Sequence, residues 1–190
     1  MEEEADDLDP QLLLRAGWSA EELYWEELSE AALALPPNEA LPYWREAARI
    51  APEALPDGDA RQATNLANLA LAESLDGQAE IAAALLRDAK TLWQAAEPWV
   101  AGLAKERRAR SSLYHHRLQS RYPGGYDHWS QARYRELFDQ GTAALAARAD
   151  GRLVRPDAFT AWREVRPPGL EDARRLIAAV YLIAPDPCAA

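Results

Sequence analysis

Apolar and polar positions alternate along this chain with the period of a helix. In "SAEELYWEELSEAALAL", Ser19–Leu35, the residues Tyr24, Leu28, Ala31 and Leu35 recur at spacings of four, three and four, which predicts one apolar stripe on an amphipathic helix. Ser19 followed by Glu22 forms a capping box at its start. "PPN" breaks the pattern, and Asn38 then caps a second helix to about Ile50, with Pro42 near its first turn. "APEALPDGD" reads as a loop from its prolines and glycine. A third helix starts near Asp59 and stops at Asp76-Gly77. A fourth covers Ala79–Ala96, with Ile81, Leu85, Ala89 and Trp93 along one side. Pro98 suits the first position of a fifth, where its missing N–H costs little, and that helix extends to about Ser120. Beyond the turn "YPGGYD" the pattern predicts helices at about His128–Arg148, Asp157–Val165 and Leu170–Ala184. No stretch carries a convincing period of two. The predicted fold class is all-α, built of stacked antiparallel helix hairpins over 18–185, with an acidic leader at 1–17 and a short tail at 186–190.

Three of these helices share a pattern. Ala40, Trp44 and Ala47 precede Pro52, and Ala173, Ile177 and Val180 precede Pro185 at the same spacings. Ala82, Leu86 and Ala89 repeat the first three positions. Small residues flanking a large one let a neighbouring helix approach while the large side chain fills the gap. With Leu66, Leu69-Ala70 and Gly77, the segment "ATNLANLALAESLDGQAEIAAALLRDAKTLW" resembles a tetratricopeptide repeat, particularly the kinesin-light-chain variety. "NLA" at Asn68–Ala70 is its most recognisable element. Ala40 and Ala82 lie 42 residues apart, the longer spacing of that variety. Glu73 departs from it, standing where a large apolar residue is usual, and the stretch Pro98–Arg148 scarcely keeps the consensus.

The resemblance implies a right-handed α-superhelix of about three to four repeats, non-catalytic, with a concave groove for a peptide or partner protein. On that analogy Thr64, Asn68 and Leu71 face the groove, with Ala67 and Ser74 beside them. An asparagine amide donates and accepts at once, as a peptide unit requires.

Charge adds the sign of the partner. The chain carries a net charge of −10, which argues against a general nucleic-acid binder. Its first thirty residues hold eleven acids and one base, whereas 105–121 holds six bases and one acid. If the basic helix lines the same groove, Arg107, Arg110, Tyr114, His115, Arg117 and Arg121 favour an acidic partner. Nineteen of the 21 cations are arginine, the side chain that grips carboxylates through two parallel hydrogen bonds. The acidic N-terminus could instead cover this face. The single cysteine, Cys188, excludes a disulfide framework within the chain. The sequence shows no signal-peptide pattern and no apolar run near the roughly 20 residues that span a bilayer, so a cytoplasmic protein without membrane contact is expected.

All three histidines lie in "LYHHRLQSRYPGGYDHW", Leu113–Trp129. His115 and His116 point about 100° apart on a helix and do not chelate one ion together. His116 with His128 and Asp127 could assemble a two-histidine, one-carboxylate site, but the surrounding arginines oppose a cation. No nucleotide-binding or nucleophile motif occurs. No metal, cofactor or catalytic residue is therefore expected. Tyr122, Tyr126, Trp129, Tyr134 and Arg133 crowd the same turn, residue types enriched at interfaces. The competing readings are a small helical metal protein or enzyme built on this region, and a structural subunit whose tryptophan-rich faces, at Trp18 and Trp25, are covered by neighbours.

Overall fold

The computed structural model of the protein describes residues 10–103, 131–150 and 171–185. All described secondary structure is helical. We label the helices α1 (Pro10–Arg15), α2 (Ala20–Ala34), α3 (Pro37–Ala54), α4 (Arg61–Leu75), α5 (Ala79–Ala95), α6 (Gln131–Ala149) and α7 (Glu171–Tyr181), with further helical residues at 97–103. None among the described residues is long and apolar enough to cross a membrane. The histidine cluster and the arginine segment Arg107–Arg121 lie outside the described residues.

Local chemistry explains where the helices begin and end. The Ser19 hydroxyl accepts from the Glu22 N–H at 2.9 Å while the Glu22 carboxylate accepts from the Ser19 N–H at 3.1 Å, the reciprocal capping box expected at the start of α2. α1 and α4 both end on a glycine in the left-handed region, Gly17 at φ +93° and Gly77 at φ +80°. After each, the next residue's N–H turns back onto the helix, Trp18 to Leu13 O and Gln78 to Glu73 O. α3 runs past Ile50 and Pro52 to Ala54, longer than the sequence pattern suggests. Pro52 sits in its last turn and Leu55 closes it, its N–H donating to Ala51 O.

Consecutive helices pack on one another: α2 on α3, α3 on α4 and α4 on α5. α6 packs on α5 and α7, and α7 on α4. Trp25, Trp93, Leu137, Leu145, Leu176 and Ile177 anchor the main core. A smaller one gathers Trp44, Ala32, Ala40, Leu71, Ala72 and Ala184. The small residues Ala40, Ala47, Ala82 and Ala89 are all buried, as close helix approach requires.

Two stripes sit elsewhere than the apolar pattern suggests. On α2 the buried face is Glu22, Trp25, Glu26, Leu28, Ser29 and Ala32, and Tyr24 is 46% exposed. On α5 it is Ala82, Ala89 and Trp93, and Ile81 is 50% exposed. In α2 the reason is electrostatic: two glutamates occupy core positions because buried arginines meet them.

α7 packs between α4 and α6. Leu176, Ile177, Ala178, Ala179 and Val180 are all buried, as are Leu182, Ile183 and Ala184 beyond it. Five consecutive buried residues span more than one turn, so this half of α7 is enclosed by core.

Candidate functional site

The surface that α4 turns toward α7 carries the polar residues singled out from the sequence. The Thr64 hydroxyl donates to Ala179 O. Asn68 spans two points of main chain: its Nδ2 donates to Leu182 O at 3.0 Å and its Oδ1 accepts from the Ala184 N–H at 2.9 Å. The last carbonyls of a helix have no partner within it, and burying them unpaired is costly. Thr64 and Asn68 supply those partners where α7 ends. The expectation that Thr64, Asn68 and Leu71 line an open groove is corrected here. All three are buried, Asn68 at 2% exposure, and α7 lies over the polar pair. The amide of Asn68 does read main chain, but the main chain is the protein's own.

At the other end of α7 lies a buried cluster of charges. Arg61 opens α4, and Asp59 just before it accepts from both its backbone N–H, at 2.8 Å, and its guanidinium, at 2.7 Å. The same guanidinium reaches Glu26 at 3.3 Å and pairs closely with Glu22. From α7, Arg174 donates to Glu26 at 3.2 Å and Arg175 to Glu22 at 2.8 and 3.3 Å. Three carboxylates thus meet three guanidiniums. Trp18 lies among them, its ring 5.0, 5.7 and 4.8 Å from the guanidinium carbons of Arg61, Arg174 and Arg175, within cation–π range. Trp25 closes the floor, with Arg61 5.9 Å from its ring and its indole N–H donating to Asn65 Oδ1 at 3.3 Å.

The members of this cluster differ in their proton affinity. Burial pushes Glu26 up to about 7, against the pull of Arg174 and Arg61. Burial also acts upward on Glu22, but its bonds to Arg175 and Arg61 outweigh it and hold that carboxyl below its ordinary value. For Arg61 burial alone would lower the value, and Asp59, Glu26 and Glu22 together raise it. Burial lowers Arg174. Because Glu26 binds its proton more tightly in the folded chain, its contribution to stability is full below about 4.5 and is lost as pH rises through about 7. The unaltered chain should therefore gain on a Glu26→Gln variant by on the order of 3 kcal/mol between pH 8 and pH 5. Urea denaturation of both at several pH values checks this; a pH-independent gap would refute the assignment.

Exposed pairs are of a different kind. Arg45 meets Asp76 at 2.5 Å and Arg49 meets Glu46 at 2.6 Å, in contact with water, where such pairs contribute little. Among the described residues no group of three or more His, Cys, Asp or Glu side chains is placed to hold a metal. The six-charge cluster was missed by sequence reasoning. Its only signals were acids at i, i+4 in α2 and the adjacent arginines "RR" in α7, each of which reads as solvated charge in isolation. No protein-family model, curated protein or solved structure matches the chain.

Proposed function

We propose that this protein is a non-catalytic interaction module, an adaptor or assembly factor of tetratricopeptide-like build, that recognises an acidic protein segment. The charge of residues 105–121 carries the reading, six bases against one acid. In the folded chain Asn68 donates to and accepts from the protein's own main chain, the place a bound segment would take in such a repeat. α7 takes that place, so partner recognition falls to the basic and aromatic stretch Arg107, Arg110, Tyr114, His115, Arg117 and Arg121. Composition supports this division. The buried Arg61 and Arg174 and the partly buried Arg175 are paired with the protein's own carboxylates, whereas residues 105–121 hold six bases against one acid.

Binding of this kind weakens with salt, because exposed charges are screened beyond about 8 Å at physiological ionic strength. Partners captured from native extract at low salt should be released at high salt. The Arg110→Glu, Arg117→Glu variant should capture none of them. Undiminished capture by that variant would eliminate this surface.

A further inference from the structure

Besides the packing of Leu176, Ile177 and Val180 in the core, two groups of polar contacts hold α7, and neither involves its apolar side chains. At its start, two adjacent arginines meet a pair of glutamates. Neighbouring residues on a helix diverge by about 100°, yet both guanidiniums find a carboxylate, because Glu22 and Glu26 stand one turn apart on α2: Arg174 on Glu26, Arg175 on Glu22. Trp18 lies against both cations. At its end, Thr64 and Asn68 bind only main-chain atoms, of Ala179, Leu182 and Ala184. Five positions separate Arg174 from Ala179, about 8 Å along the helix.

The charges on the receiving side do not balance without α7. Of the cations in the cluster Arg61 alone then remains to Glu22, Glu26 and Asp59, three carboxyls to one guanidinium, with Glu26 able to hold a proton. Covering these carboxyls without cations would be strongly unfavourable, so the site is complementary to a segment bringing two cations, with an apolar run behind them.

We infer that the face formed by Trp18, Glu22, Glu26, Thr64 and Asn68 is a segment-binding site for a helix bearing two adjacent arginines ahead of an apolar run, occupied in cis by α7 and able to accept the same kind of segment from a partner protein. This is independent of the acidic partner proposed for the Arg107–Arg121 stretch: the segment here is basic, and the assays share no residue.

Exchange is the test. A fluorescent peptide of sequence 170–185 is titrated into the full-length chain and followed by anisotropy. Arg174→Ala with Arg175→Ala in the chain loosens the resident helix and leaves the receiving face unaltered. That variant should bind the peptide roughly tenfold or more tighter than the unaltered chain does, since breaking buried charge pairs weakens a contact by at least that factor. Adding Asn68→Ala should remove the gain, and a peptide with both arginines replaced by glutamate should not bind. A folded double variant that binds the peptide no better than the unaltered chain overturns the inference. Should the variant fail to fold, hydrogen exchange of the unaltered chain decides. α7 amides that open at lower denaturant than those of α4 support a displaceable segment, and α7 amides that exchange only with α4 refute it.

Discussion

Replacing Arg61 by alanine is expected to destabilise the fold by about 3–5 kcal/mol, the usual consequence of breaking a buried ion pair from one side. Arg61 is fully buried, and three carboxylates, of Glu22, Glu26 and Asp59, are arranged around its guanidinium. Its removal leaves them facing one another with Arg174 and Arg175 on one side only. Lysine should not rescue the variant. A single ammonium has no fork with which to reach Asp59, Glu26 and Glu22 at once. Chemical denaturation of Arg61→Ala and Arg61→Lys measures both losses; a loss under about 1 kcal/mol for Arg61→Ala would mean that the cluster is solvated. Such clusters seldom stabilise a fold beyond what apolar residues of equal volume would do. What this one supplies is registry, because it fixes where the start of α7 meets α2.

Gly141→Ala should cost about 3 kcal/mol, the upper range for forcing atoms into a packed core. A Cβ built at Gly141 would stand 1.9 Å from the ring of Trp93. The ring has nowhere to retreat. Trp93 stacks on Phe138 with centroids 5.4 Å apart, and its indole N–H donates to Phe138 O at 3.2 Å and Thr142 Oγ1 at 3.1 Å. Gly102→Ala is the control, since a Cβ there meets nothing within 4 Å. Alanine at a helical position should stabilise by about 0.5–1 kcal/mol. Thermal unfolding of the pair therefore separates a steric cause from a general intolerance of glycine replacement: opposite signs are expected, and two losses of equal size would count against the Trp93 contact.

The helices themselves were largely legible in the sequence, because their limits are written in short-range chemistry. The Ser19–Glu22 box and the Gly77 stop involve residues only a few positions apart, and both occur as expected. The buried sides of α2 and α5 were less legible. A pattern of apolar residues treats Glu22 and Glu26 as outward-facing and so selects Tyr24, whereas the structure turns Trp25 and both glutamates inward. That turn depends on Arg61 and Arg174, which are 35 and 148 positions from Glu26. Asn68 shows the same limit more sharply. Its place opposite a stretch of main chain was readable, and the owner of that main chain was not, since Leu182 is 114 positions away. Long-range closure leaves no local trace.

The separation along the chain also orders events during synthesis. Among the described residues, the hydrogen bonds that close α4 and α2 against α7 and the residues after it involve residues 174–184, after α2 through α6 have already been made. Until then the nascent hairpins present Glu22, Glu26 and an apolar strip uncovered, and joining ends so distant is slow. A chain held short of residue 174 is therefore expected to leave this face open to water.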